Sequence, residues 1–161
     1  ILGFEESYGY LTGSYVRDKD AVNAAFMICE MFAFYKTRGV SLIEKLNEIY
    51  NTYGYCLNTL RSYEFPGSAG IEKMYSIMSG FRSGLDDVAG KKINTVLDYS
   101  KGLDGLPKSN VLKYKFDGGS VVVRPSGTEP KLKTYISVTA ENREAAEEIE
   151  KRISAELEER M

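Results

Sequence analysis

The chain has 161 residues, with 21 basic and 23 acidic side chains and a formal charge of −2 at pH 7. This length accommodates one globular domain, or one small domain with part of another, and 43% apolar residues suffice for a core. The charge balance excludes a broad basic surface that would hold a nucleic-acid backbone. Any phosphate must therefore be bound by a local cluster of donors.

The sequence contains no histidine, which excludes Ser-His-Asp and Cys-His catalysis and histidine metal ligands within this chain. Cys29 and Cys56 are too few for a disulfide framework or a zinc site. We predict that both are reduced core residues of a cytoplasmic protein. The longest apolar stretch, residues 21–35, is too short to span a bilayer. The chain opens on a loop motif without methionine, and we expect it to be a piece of a longer protein.

Two helices are predicted before residue 54. Asp18 or Asp20 caps the first, over about 20–37, which is apolar on every side and is therefore expected to be covered on every side. Ser41 and Glu44 have the spacing of a capping box and start the second helix.

From residue 55 onward, strand patterns dominate. Leu112, Tyr114 and Phe116 alternate with lysines, which is typical of a half-buried antiparallel strand, and residues 117–119 form a hairpin turn. The other predicted elements are strands over 55–65, 93–99, 120–123 and 132–138, and helices over 70–82 and 142–160.

This order of elements predicts an α+β fold with an antiparallel sheet of four to five strands covered on one face by two helices. Residues 54–161 have enough elements for a complete domain. Residues 1–53 have two helices without a sheet of their own, and we interpret them as a helical remnant of another domain.

One loop, residues 124–131, has the residue types that bind a phosphate. Its arginine presents a planar fork to two phosphate oxygens, its hydroxyls donate, and its glycine allows the positive φ that turns amides inward. The candidate ligands are Arg124, Ser126, Gly127 and Thr128, with Lys131 and Lys133 adding positive charge. A rigid hairpin turn with a solvated arginine uses the same residue types, so these residues alone leave both interpretations open.

A second candidate loop spans residues 3–10, where Glu5 and Ser7 lie between glycines and could bind vicinal sugar hydroxyls. A frayed terminal loop with solvated glutamates fits the same residues. Lys19, just before the first helix, is by default a surface lysine. The pair Asp86-Asp87 has too few further ligands for a metal and is interpreted as a solvated loop.

At these two loops the sequence resembles the α-D-phosphohexomutases, the phosphoglucomutase and phosphomannomutase superfamily, and within it the bacterial phosphoglucomutases. Residues 124–131 are similar to the family's C-terminal phosphate-binding loop, and residues 3–10 are similar to its sugar-binding loop. The resemblance extends over the whole chain.

The resemblance implies that residues 1–53 are the tail of the third domain and residues 54–161 the fourth, with a TATA-binding-protein-like fold. Members of the family interconvert sugar 1-phosphates and 6-phosphates through a phosphoserine and a bisphosphate intermediate. The fourth domain then holds the non-reacting phosphate of a hexose or pentose phosphate. The residues implied are Arg124, Ser126, Gly127, Thr128 and Lys133 for the phosphate, and Glu5, Ser7 and Lys19 for the sugar.

By the same resemblance, the phosphoserine loop and the magnesium-binding loop belong to earlier domains. The resemblance therefore implies no catalytic residue and no metal ligand in this chain, magnesium in the full-length enzyme, and the missing N-terminal domains as partners. Tyr8-Gly9-Tyr10 stands where the mannomutase branch tends to have Gly-His, so sugar preference stays open. The main alternative is a non-enzymatic α+β module that binds another anion or a protein.

Overall fold

The computed structural model describes residues 2–5, 7–127 and 129–161, and only the backbone of Ser68. The chain divides into two compact units, Ile1–Thr52 and Tyr53–Met161. The elements of the first unit are strands β1 (Leu2–Phe4) and β2 (Tyr10–Thr12), which pair antiparallel, and helices α1 (Ala21–Lys36) and α2 (Leu42–Tyr53). The prediction that residues 1–53 have no sheet of their own is therefore wrong, because strands of three residues are too short to show an alternating pattern.

Both helices of the first unit begin at side chains that the sequence predicted as caps. The Asp20 carboxylate accepts a hydrogen bond from the Asn23 amide at 3.0 Å and starts α1. The Ser41 hydroxyl accepts from the Glu44 amide at 3.1 Å, and the Glu44 carboxylate accepts from the Ser41 amide at 2.7 Å. The predicted capping box is confirmed, because each side chain satisfies an amide that the helix itself leaves without a partner.

Helix α1 exposes most of its apolar surface within this chain. Ala24 is buried, but large side chains on several sides of the helix are at least 44% exposed. These side chains are Val22, Phe26, Met27, Ile28, Met31, Phe32 and Phe34. A soluble protein rarely leaves so continuous an apolar surface without a partner.

The second unit is built on one antiparallel sheet. Its strands are β3 (Tyr55–Glu64), β4 (Asp87–Val88), β5 (Lys91–Asp98), β6 (Leu112–Phe116), β7 (Gly119–Pro125) and β8 (Lys131–Ala140), in the order β3-β8-β7-β6-β5-β4. Its helices are α3 (Ser68–Ser83) and α4 (Arg143–Glu158), with a 3₁₀ turn at Tyr99–Lys101. Strand β3 joins the outer edge of β8, so it forms one edge of the sheet.

One face of this sheet forms the core. Alternate residues of β6, β7 and β8 are buried, as expected for strands with one covered face. They pack in a single cluster with apolar side chains of both helices, which are Met74, Met78 and Phe81 of α3 and Ala146, Ile153 and Leu157 of α4. The α+β class, with two helices on one face of an antiparallel sheet, is confirmed.

The sheet has six strands, one more than the four to five predicted. The additional strand, β4, is only two residues long and turns into β5 through Ala89, which has a φ of 51°. Helix α4 holds this turn: Glu156 accepts from the Ala89 amide at 2.6 Å, and Arg152 donates to the Ala89 carbonyl at 2.9 Å. These contacts join residues more than 60 positions apart, so no local pattern predicts them.

The two cysteines are exposed, so the prediction that both are core residues is wrong. Cys29 lies on α1, whose apolar sides are largely uncovered in this chain. Cys56 lies on β3 and pairs with Thr139, on the sheet face away from the helices. In the described part of the chain, no helix is both long and apolar enough to cross a lipid bilayer.

Candidate functional site

The loop between β7 and β8, residues 126–130, is closed by its own backbone. The Ser126 amide donates to the Lys131 carbonyl at 2.7 Å, and the Lys131 amide donates to the Glu129 carbonyl at 2.7 Å. The Phe65 amide donates to the Pro130 carbonyl at 2.9 Å and ties the loop to the end of β3. The loop is therefore supported from β3 as well as from its own two strands.

Arg124 and Lys133 form a pair of cations at the base of this loop. They are directly opposite each other in the β7–β8 register, on the sheet face away from the helices. Side chains opposite each other in an antiparallel pair lie close together on one face. Within residues 2–5, 7–127 and 129–161, neither makes an ion pair with a carboxylate. Their positive charge is thus available to an anion.

Lys131, the first residue of β8, makes different contacts from Arg124 and Lys133. Its Nζ is 3.1 Å from Glu64 Oε1 and 3.3 Å from Glu129 Oε1. The hydrogen bond to Glu64, followed by the hydrogen bond to Glu129 and the charges of both carboxylates, raises the pKa of Lys131. The Lys131 ammonium is therefore compensated by two carboxylates.

For two predicted donors of the loop, Gly127 and Thr128, the prediction is either wrong in its backbone conformation or falls outside the described residues. Gly127 is not among the glycines with positive φ, so the prediction that it turns successive amides inward is wrong. The Ser126–Lys131 hydrogen bond closes the loop without that conformation, and the Ser126 amide is used inside the loop. A Cβ on Gly127 would have no atom within 4 Å, so this position is open space. Thr128 lies outside the described residues.

The loop between β1 and β2 brings three predicted residues together. The Glu5 amide donates to the Gly9 carbonyl at 2.8 Å, and the Ser7 hydroxyl lies 3.5 Å from Glu5 Oε2 as a donor. Lys19 Nζ is 3.9 Å from Glu5 Oε1 and 2.9 Å from Asp18 Oδ1. Glu5, Ser7 and Lys19 thus form one polar cluster.

This cluster borders a cavity of about 250 Å³. Glu5 and Lys19 line it together with Gly9, Arg17 and Asp18. The sequence predicted no ligand contact for the last three residues, and it offered Asp18 only as a cap for α1, a position that Asp20 occupies instead. The Asp18 hydrogen bond, the Asp18 charge and then the Glu5 charge raise the pKa of Lys19 and keep it cationic.

Gly9 allows Glu5 and Lys19 to approach each other. A Cβ at this position would lie 2.4 Å from Lys19 Cδ and 2.7 Å from Glu5 Oε2. Any larger residue would therefore move at least one of the two side chains. The arrangement offers an acceptor, a cation and a hydroxyl around a small cavity, which suits a polyhydroxylated ligand.

The described residues hold no group of three or more Asp, Glu or Cys side chains that could bind a metal ion. Asp86 and Asp87 are both exposed, and Asp87 lies in β4 rather than in the predicted loop.

Two family descriptions match the chain. Residues 1–53 match "Phosphoglucomutase/phosphomannomutase, alpha/beta/alpha domain III", and residues 83–156 match "Phosphoglucomutase/phosphomannomutase, C-terminal domain". The two matches follow one another in the order of the domain numbers, and each falls on a different unit of the structure.

Similar proteins include the phosphoglucomutases of Staphylococcus aureus strains MSSA476 and USA300, each 40% identical over 154 residues. These alignments cover 88% of this chain and 28% of each relative, so the chain spans little more than a quarter of their length. Among solved structures, the open form of pp63/parafusin, a phosphoglucomutase from Paramecium, has a TM-score of 0.64 at 22% identity. The superposed region covers 98% of this chain and 28% of the parafusin chain, which shows that the two proteins share this fold.

Proposed function

Because the chain belongs to the phosphoglucomutase/phosphomannomutase family, we propose that it is the substrate-holding part of a phosphohexomutase. The whole enzyme interconverts sugar 1-phosphates and 6-phosphates. This part binds the phosphate that is not reacting and the sugar hydroxyls, and it does not catalyse the transfer alone.

The phosphate is held at the β7–β8 loop. The observation that carries the proposal is the cross-strand pair of Arg124 and Lys133, which has no carboxylate partner in the described chain. A guanidinium matches two oxygens of one phosphate, and a neighbouring ammonium adds charge to the same group. Ser126, Gly127 and Thr128 complete the proposed set, with the open space at Gly127 allowing close approach.

The sugar is held at the β1–β2 loop. Glu5 accepts from a sugar hydroxyl, while Ser7 and Lys19 donate to ring or hydroxyl oxygens. The contact of Glu5 with Lys19 keeps the carboxylate and the ammonium close to each other at the cavity, so little ordering is needed on binding.

The remaining parts of the enzyme supply the chemistry. We assign residues 1–53 to domain III and residues 54–161 to the C-terminal domain, with a TATA-binding-protein-like fold. The phosphoserine and the magnesium ligands belong to the domains outside this chain. Those domains also cover the apolar surface of α1, which is too extensive to be left in water.

Calorimetry on the 161-residue chain tests the proposal. We expect inorganic phosphate and glucose 1,6-bisphosphate to bind weakly, with a Kd on the order of 1 mM, because half of the cleft is absent. Arg124→Ala should abolish this binding, because it removes the bidentate donor. The matched control Arg143→Ala, an exposed side chain at the start of α4, should leave it unchanged.

Unchanged phosphate affinity in Arg124→Ala would contradict the proposal. The alternative of a non-enzymatic module is tested in the full-length enzyme. There Arg124→Ala should lower kcat/KM for the sugar phosphate, whereas a module without a role in the reaction would leave it unaltered.

A further inference from the structure

We infer that Lys131 is a positioning residue: clamped between Glu64 and Glu129, it fixes the returning half of the loop and thereby aims Arg124 and Lys133 at the phosphate. This inference depends on the proposed function, because it concerns the same loop. It assigns Lys131 a part distinct from that of the two free cations.

Lys131 is fixed at both its backbone and its side chain. Its carbonyl accepts from Ser126 and its amide donates to Glu129, while its Nζ contacts both carboxylates. Glu64 is its cross-strand partner on β3, and Glu129 belongs to the loop itself. The ammonium therefore connects the sheet edge to the loop.

The burial of the three side chains supports a bridging role. The Lys131 side chain is 29% exposed, whereas those of Glu64 and Glu129 are 69% and 56% exposed. The Lys131 Nζ has an oxygen of each carboxylate within 3.3 Å, so its charge is engaged within the chain rather than directed at a ligand.

The net charge of Lys131, Glu64 and Glu129 also argues against a purely electrostatic role for these three residues. One ammonium and two carboxylates carry a net charge of about −1, which by itself repels a phosphate dianion. Acidic residues at an anion-binding loop favour binding only if the loop geometry that they maintain contributes more binding free energy than their repulsion of the phosphate removes. Arg124 and Lys133, by contrast, carry their charges without compensation in the described chain.

The direction of the change in phosphate affinity distinguishes a positioning role of Lys131 from a direct electrostatic one. If Glu64 and Glu129 position Lys131, then Glu64→Gln and Glu129→Gln weaken phosphate binding although each removes a negative charge. If the three residues affect the ligand only through their charges, both substitutions tighten binding. If Lys131 itself contacts the phosphate, both substitutions also tighten binding, because they release its ammonium.

The experiment is calorimetric titration of the 161-residue chain with inorganic phosphate at fixed ionic strength. We expect Glu64→Gln and Glu129→Gln each to weaken binding about two- to fivefold, the size of one exposed ion pair. Lys131→Met should weaken it more, and Lys131→Arg should restore most of the affinity because a guanidinium also reaches two carboxylates. Glu144→Gln, an exposed carboxylate on α4, is the control for total charge.

Tighter or unchanged binding in both glutamine variants would overturn the inference, as would failure of Lys131→Arg to rescue binding. Thermal unfolding monitored by circular dichroism verifies that each variant is folded. The proposed function has a separate readout: it fails if Arg124→Ala retains phosphate affinity. If Arg124→Ala abolishes binding while the clamp variants bind normally, only the positioning role is wrong.

Discussion

Arg82 holds Asp98, with Nε 3.1 Å from Oδ2, and so joins the last turn of α3 to the end of β5. Arg82 also donates to the Asn110 side chain at 2.5 Å, which ties the segment before β6 to the same point. Burial opposes ionisation of Asp98, but hydrogen bonds from Arg82 and Ser100 outweigh it and lower its pKa to about 2. This ion pair stabilises the sheet end only while Asp98 is charged.

The pH dependence of folding should report this pair. The pKa of Asp98 falls from 3.8 to about 2 on folding, so its contribution is complete above about pH 4 and is lost as the pH falls towards 2. We expect Asp98→Asn to lower the free energy of unfolding at pH 7 and to flatten its dependence between pH 4 and 2. Urea unfolding at several pH values measures both. The prediction is refuted if the free energy of unfolding of Asp98→Asn falls between pH 4 and 2 as steeply as that of the wild type. It is also refuted if the control Asp87→Asn, at an exposed carboxylate, flattens this pH dependence equally.

A second prediction concerns Glu150, which is 6% exposed on the inner side of α4. Burial opposes its ionisation, but hydrogen bonds from Thr59 at 2.7 Å and Ser154 at 2.8 Å, with Arg61 at 3.2 Å, lower its pKa. Glu150→Gln leaves the Arg61 charge without its partner and should cost about 2 kcal/mol of unfolding free energy.

The control for Glu150 lies one turn away on the same helix. Glu147 is exposed and pairs with Arg143, so Glu147→Gln should change the unfolding free energy by less than about 0.5 kcal/mol. If chemical denaturation gives equal losses of unfolding free energy for the two substitutions, the buried contacts of Glu150 stabilise the fold no more than the exposed ion pair of Glu147 does.

A third prediction concerns the buried hydroxyl of Tyr114. It donates to the Phe81 carbonyl at 2.7 Å, and burial raises the pKa of Tyr114 to about 12. Because the Gly84 amide also donates to this carbonyl, Tyr114→Phe leaves it partly satisfied and should cost only about 1 kcal/mol. Tyr75→Phe, on the exposed side of α3, should be neutral. A loss above about 3 kcal/mol would mean that the hydroxyl has a further partner.

A fourth prediction uses Gly9 to perturb the sugar loop alone. Gly9→Ala would force apart the ends of Lys19 and Glu5, which are flexible, so stability should change little. Binding of glucose 1-phosphate should weaken, whereas inorganic phosphate should bind as before. Gly80→Ala on α3, where a Cβ likewise has no atom within 4 Å and which lies outside the sugar loop, is the matched control. Equal glucose 1-phosphate affinity in both variants would exclude this cavity as the sugar site.

Local patterns predicted much of the fold. The capping box at Ser41 and Glu44 and the alternation from Leu112 to Phe116 depend on neighbouring residues, and both appear as predicted. Strand β4 was missed because its turn at Ala89 depends on Glu156 and Arg152 of α4. Cys56 was misplaced because alternation alone does not say which face of an edge strand is covered.

The candidate site was predictable by residue type but not by conformation. The sequence pointed to Glu5, Ser7 and Lys19, and the structure brings them together. It did not show that Gly127 lacks a positive φ, because a loop closed by Ser126 and Lys131 can turn without one. Nor did it separate Lys131 from Lys133, since only the positions of Glu64 and Glu129 distinguish a compensated lysine from a free one.

The central claim is that the β7–β8 loop binds a phosphate, and a titration of the ¹⁵N-labelled chain with inorganic phosphate, followed by NMR, tests it most directly. We predict that the Arg124 Nε resonance and the backbone amides of the non-proline residues in 124–133 shift most and saturate together, while the amides of residues 3–10 stay unchanged. Saturating shifts confined to another part of the chain, with the Arg124 resonance unmoved, would contradict the account.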